Sequence, residues 1–190
     1  MTDHIPEVSR LLLNPTTTTI VVCSPQRSDA VNQTIKRAAR ALQECASITE
    51  SPFLACVVAA NADEATPARS GVGETIVLPS AESDPWRDTR LAELLGDANR
   101  DQLVLVGDLS ESMMTFLAIG ALGKGLDVFL VVEADALSDR SPVAELRLKR
   151  LQQFGVVAID ARQAIIELMR DWRDPEGQVS ARSVLGKAGL

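Results

Sequence analysis

The segment that most constrains the fold is residues 102–136, which has the pattern of a strand, a helix and a second strand. The unbroken apolar run Leu103–Val106 is typical of a strand that is covered on both faces in a parallel sheet. Ser110 stands at the position of a helix N-cap, and Lys124-Gly125 supplies a cation and a glycine at the helix end. A second apolar strand follows at Val128–Val132. The segment therefore predicts a βαβ unit with a largely buried helix.

The rest of the chain continues this alternation of strands and helices. Strands are predicted at Thr16–Cys23 and Phe53–Ala60, on either side of an amphipathic helix. The polar side of that helix carries Lys36, Arg37 and Arg40, which we interpret as a solvated face. The pattern predicts an α/β fold, a three-layer α/β/α sandwich with a mainly parallel sheet. The expected organisation is an N-terminal arm (1–15), one domain (16–173) and a polar C-terminal tail (174–190) over the surface or a partner.

Charge and cysteine usage narrow the class of partner. With 19 basic and 26 acidic residues the net charge is −7, which argues against nucleic acid or an anionic membrane as partner. The N-terminus has no signal-peptide pattern and no apolar run approaches the roughly 18 residues of a membrane span, so we expect a cytoplasmic location. The chain has an odd number of cysteines, Cys23, Cys45 and Cys56, without Cys-x-x-Cys spacing. The one histidine that could join them in a metal site is His4. They predict neither a zinc site nor a disulfide framework, and no metal or cofactor is expected.

The central segment resembles the nucleophile segment of the isochorismatase- and nicotinamidase-like cysteine hydrolases. Gly107 matches the glycine that ends the family's strand, Ser110 its small hydroxyl residue and Gly125 its helix-ending glycine. Met113 occupies the position of the family's catalytic cysteine. The resemblance covers roughly residues 16–173, and it implies six strands in the order 3-2-1-4-5-6.

The same resemblance shows changes at the other two triad positions. The family's Asp-x-Gln motif reads Ser24-Pro25-Gln26 here, so the glutamine is kept and the carboxylate base is lost. Trp86 matches a tryptophan of one family branch, and counting back from it places the family's basic residue near Pro79. A cysteine hydrolase needs a thiolate, a base and a cation. With Met113, Ser24 and Pro79 at these positions, we predict a pseudoenzyme that acts as a binding or structural, oligomeric subunit.

Two alternatives stay open. One is a hydrolase of carbon–nitrogen or ether bonds in a small molecule, with a relocated nucleophile. Its candidate nucleophiles are Cys23, Ser110 and Ser112. Its candidate bases are Asp108, Glu111 and Asp29. The other is a sensor or carrier of a small neutral molecule, whose pocket would be lined by Gln26, Trp86, Ser110 and Phe116, with Ser24. Under each reading we expect a homo-oligomer, because the segment after Arg140 resembles a family helix that meets a neighbouring subunit.

Overall fold

The structure is a computed structural model of the chain. It describes residues 12–24, 30–59, 74–79, 85–87, 89–97, 100–109, 111–133, 142–170 and 175–190. The strands of this part of the chain are β1 (Thr18–Ser24), β2 (Phe53–Ala59), β3 (Glu74–Pro79), β4 (Gln102–Val106), β5 (Asp127–Val131) and β6 (Val157–Ile159). The helices are α1 (Ala30–Thr49), α2 (Thr89–Asp97), α3 (Ser112–Gly123), α4 (Pro142–Gln153), α5 (Ala161–Leu168) and α6 (Pro175–Ala188), and a short 3-10 helix spans Pro85–Arg87.

The strands form one sheet in the order β3-β2-β1-β4-β5-β6, which confirms the predicted order. Every pairing between neighbouring strands is parallel. In the central register Ile20 of β1 lies opposite Phe53 of β2 and Val104 of β4. The strand order reverses between β1 and β4, and in open parallel sheets the crevice at such a reversal is where ligands bind.

Helices cover both faces of the sheet, so the predicted three-layer α/β architecture is confirmed. Alternate residues of β1 point to opposite faces, because successive side chains of a strand do so. Ile20 packs with side chains of α1, α5 and α6, whereas Val21 packs with side chains of α2, α3 and α4. The buried apolar side chains thus form one core on each side of the sheet.

Helix α3 is the buried helix that the sequence predicts. Met114, Leu117 and Ala118 have no exposed surface. The N-cap, however, is Glu111 and not Ser110, so that prediction is wrong. The Glu111 amide donates to the Asp108 carbonyl at 3.0 Å, which closes a turn and delays the start of the helix. At the other end Gly125 has φ of +84°, a left-handed conformation that favours the glycine predicted there.

The C-terminal segment differs from the predicted polar tail. Residues 175–188 form α6, and Ala181 and Val184 of this helix are buried in the core beside α1. Leu185 and Ala188 pack against the same core, and the four residues have helical spacing. At the other end of the described chain Leu13 is fully buried, and its amide donates to Glu167 Oε2 at 2.9 Å. No helix among the described residues is long and apolar enough to cross a membrane.

Candidate functional site

The three positions that the family resemblance assigns to the triad lie at one edge of the sheet. Ser24 and Pro79 are the last residues of β1 and β3, which flank β2. Met113 lies in the first turn of α3, directly after β4, the other neighbour of β1. The carboxyl ends of parallel strands meet at the same edge. The backbone therefore brings these positions to the crevice that the strand reversal creates, while Gln26, Asp29 and Ser110 lie outside the described residues.

Two methionines, Met113 and Met114, lie in the first turn of α3, and the side chain of Met114 lies against Gly107 after β4. Met113 is half-buried and packs against the core between the sheet and α2, α3 and α4. A Cβ atom on Gly107 would lie 2.6 Å from Met114 Sδ and 3.1 Å from Cys23 Cβ, so only a glycine leaves room for both side chains. A thioether has no proton to lose, and Met113 therefore cannot supply the thiolate of a cysteine hydrolase.

Cys23, the first candidate for a relocated nucleophile, is part of the core. It is buried and lies directly opposite Cys56 in the register of β1 and β2. A hydrogen bond with the Cys56 thiol raises the pKa of Cys23 well above its ordinary value, and burial raises it further. Because the thiolate is the reactive form, the environment of Cys23 opposes nucleophilic chemistry at neutral pH.

Ser112, another candidate for a relocated nucleophile, accepts a hydrogen bond from an arginine. Its Oγ accepts a hydrogen bond of 3.1 Å from Arg147 Nη2, and Arg147 Nη1 donates to the Leu109 carbonyl at 3.0 Å. A guanidinium only donates and stays charged, so it cannot take the proton of the serine hydroxyl. Asp108 and Glu111, two of the proposed bases, lie in the same turn. Sequence reasoning missed Arg147, because its contact with Ser112 spans 35 residues and comes from another helix.

The structure separates Trp86 from this turn, in contrast to the predicted pocket. Trp86 Nε1 donates to the carbonyl groups of Phe116 and Leu117 at 3.2 and 3.1 Å. The indole ring lies against Gly120, and Lys124 Nζ is 5.1 Å from the ring centroid. Since Gly120 is seven residues after Met113, the two lie about 10 Å apart along α3. Burial of the ring against the C-terminal half of α3 fixes this position.

Trp86 instead lines a cavity at the opposite edge of the sheet. This cavity has a volume of about 530 Å³, and Thr17, Asp101 and Leu126 also line it. These three residues lie just before β1, β4 and β5 respectively, at the amino ends of the strands. Phe116, the other aromatic residue of the predicted pocket, is 41% exposed on the outside of α3. Among the described residues no group of three or more His, Cys, Asp and Glu side chains is placed to hold a metal ion.

Comparison with solved structures shows which class of fold this is. YcaC from Pseudomonas aeruginosa, solved with hexane-2,5-diol and covalent acrylamide, superimposes with a TM-score of 0.75 at 20% identity, over 94% of each chain. The YcaC gene product of Escherichia coli, an octameric hydrolase of unknown specificity, has a TM-score of 0.74 at 19% identity, over 94% of this chain and 93% of that one. An isochorismatase from Pseudomonas putida has a TM-score of 0.61 at 12% identity, over 79% of this chain and 91% of that one.

These similarities establish an isochorismatase-like fold. No family model and no curated protein sequence matches the chain. The superposition covers nearly the whole chain.

Proposed function

We propose that this chain is a non-catalytic member of the isochorismatase-like hydrolase superfamily, acting as a binding or structural subunit. The observation that carries the proposal is Met113 in the first turn of α3, at the sheet edge where the family's nucleophile stands. The fold supplies the position and this residue cannot supply the chemistry. Cys23 supports the same conclusion, because its thiol is buried and hydrogen-bonded to Cys56.

The turn before α3 nevertheless has electrostatics that would suit a thiolate. The N-terminus of α3 carries the positive end of the helix dipole, and the Arg147 guanidinium adds a full charge at the same turn. A thiol placed at residue 113 would have its pKa lowered by both. This gives a direct test, because the turn should activate a cysteine that the natural chain does not have.

The test uses acrylamide, an electrophile that alkylates thiolates. We expect Met113→Cys to form one adduct rapidly at neutral pH, whereas the natural chain reacts slowly at its three buried cysteines. Intact-mass spectrometry after short incubations measures both rates. The matched control is Ile119→Cys, which places a half-buried thiol far from the N-terminus of α3. Rapid labelling of Cys23 in the natural chain would contradict the proposal, and so would equal rates at residues 113 and 119.

We further propose that the chain self-associates through the outer face of α4. Val143, Leu146 and Phe154 are 50%, 67% and 56% exposed and share one side of this segment. Exposed apolar side chains on one helix face are typical of an interaction surface. The octameric state of the Escherichia coli protein is consistent with this proposal.

Light scattering coupled to size-exclusion chromatography tests the interface. We expect Leu146→Asp to reduce the molar mass to that of a smaller assembly, while its circular dichroism stays unchanged. The matched control, Gln152→Asp, introduces the same charge at another exposed position of α4 and should keep the natural mass. A natural chain that is already monomeric would contradict the proposal.

A further inference from the structure

A cationic cleft lies between α1 and α6, on the opposite side of the sheet from α3. Its volume is about 570 Å³, within the roughly 300–1,000 Å³ that ligand clefts occupy. Four basic side chains line it: Lys36, Arg37, Arg40 and Lys187. The sequence pattern of α1 indicates only a solvated face for the first three. Lys187 comes from α6, more than 140 residues later in the chain, and only the fold brings it to this cleft.

The charge of this cleft is opposite to that of the whole chain. The net charge is −7, yet the described lining of the cleft holds four basic residues and a single carboxylate, Glu44. Glu44 Oε1 accepts a hydrogen bond of 2.5 Å from Lys187 Nζ, so this carboxylate is engaged by one of the four cations. The other three basic residues belong to α1, where Glu44 is the one acidic residue.

The spacing of these basic residues destabilises α1, because their like charges repel one another. Lys36 and Arg40 are four residues apart, so they are neighbours on the surface of α1. Like charges at this spacing destabilise a helix. An anion that bridges the side chains would relieve this repulsion. A single exposed charge pair is weak and screened by salt, so the cleft fits a ligand with several negative charges.

Apolar residues line the cleft between the basic side chains. Ala41 and Val184 are almost fully buried, and Ala188 is half-buried and offers the accessible apolar surface. An apolar patch beside basic side chains suits a small molecule that has an organic group next to its phosphates. Arginine guanidinium groups bind phosphate oxygens in pairs, and a lysine contributes a point charge. We propose that the cleft between α1 and α6 binds a small organic polyphosphate of the nucleotide class.

This inference does not rest on the loss of catalysis at the α3 turn. Isothermal titration calorimetry with ATP, pyrophosphate and adenosine at low and high salt tests it on the natural chain. We expect ATP to bind most tightly, pyrophosphate more weakly and adenosine least, with affinity falling as salt rises. Lys36→Gln combined with Arg40→Gln should weaken ATP binding about tenfold or more.

The matched control removes the same two charges elsewhere. Lys149→Gln combined with Arg150→Gln changes exposed residues of α4, and ATP affinity should stay within about twofold. Equal weakening by both double variants, or no heat with ATP at low salt, would overturn the proposal. Tight binding of an RNA oligonucleotide with no response to ATP would also overturn it.

Hydrogen exchange keeps the proposal testable should the α1 double variant fail to fold. ATP added to the natural chain should protect backbone amides in the cleft-lining parts of α1 and α6. Protection confined to other elements, or no protection at saturating ATP, would refute the assignment of the site.

Discussion

Replacing Gly120 with alanine tests whether Trp86 is held by α3. A Cβ atom at this position would lie 2.1 Å from Trp86 Cδ1 and Nε1 and 2.8 Å from Cγ, so the whole indole ring has to move. The displaced ring loses its hydrogen bond to the Phe116 and Leu117 carbonyls and its contact with Lys124. An ordinary glycine-to-alanine change within a helix would instead stabilise it by about 1 kcal/mol.

The lost contacts of Trp86 outweigh the gain in helix propensity from Gly120→Ala. The shared hydrogen bond contributes about 1 kcal/mol, the cation–π contact about 0.5–1 kcal/mol, and the lost packing of the ring about 2 kcal/mol. After the helix gain is subtracted, we expect a net destabilisation of about 2–3 kcal/mol. For a chain of this size that corresponds to a fall in Tm of roughly 5–10 °C.

Urea denaturation followed by circular dichroism measures this change. Gly123→Ala is the matched control, because nothing lies within 4 Å of a Cβ atom at that position of the same helix. In a Trp86→Ala background, Gly120→Ala should become neutral or stabilising, since the clash is gone. A Gly120→Ala variant as stable as the natural chain would refute this account of Trp86.

Two further predictions concern other parts of the fold. Gln102 is buried, and its Oε1 accepts hydrogen bonds from the Asn14 amide at 2.8 Å and Thr18 Oγ1 at 3.0 Å. We therefore expect Gln102→Leu to lower the free energy of unfolding by about 2–4 kcal/mol in urea denaturation. The control, Gln152→Leu at an exposed position, should lower it by less than about 0.5 kcal/mol. Equal losses in the two variants would contradict a stabilising role for the hydrogen bonds of Gln102. Burial raises the pKa of Cys45 from 9.0 to about 12, so the folded chain keeps a proton that the unfolded chain loses in this interval. The contribution of Cys45 to the free energy of unfolding is therefore fully present below pH 9. It is lost as the pH rises towards 12, by about 1.4 kcal/mol per pH unit. Cys45→Ala should remove that part of the slope in denaturation series at rising pH, and an unchanged slope would show that the thiol ionises freely.

The strands and the buried helix were predictable because their signals are local. The apolar run Leu103–Val106 and the glycine at 125 need no knowledge of distant residues, and the structure agrees with both. The strand order came with the family resemblance, since periodicity alone does not say which strands are neighbours. The predicted position of the N-cap was wrong by one residue, because the hydrogen bond from the Glu111 amide to the Asp108 carbonyl closes a turn before the helix begins.

The contacts that define the candidate site depend on chain topology. Arg147 reaches Ser112 across 35 residues, and Trp86 reaches the Phe116 and Leu117 carbonyls across 30 and 31 residues. Neither helical spacing nor composition predicts such pairs. The tail was misjudged because the polar residues of 174–190 hide the spacing of Ala181 and Val184, whose partners lie on α1 and the sheet.

The most direct test of the central claim is turnover by the purified natural chain. A panel of small amides and vinyl ethers, followed by product detection over long incubations, covers the carbon–nitrogen and ether bonds that the alternative hydrolase reading names. We predict rates equal to the uncatalysed reaction, unchanged by Cys23→Ser or Ser112→Ala. Product formation that either substitution abolishes in a folded variant would contradict the proposal and identify the relocated nucleophile.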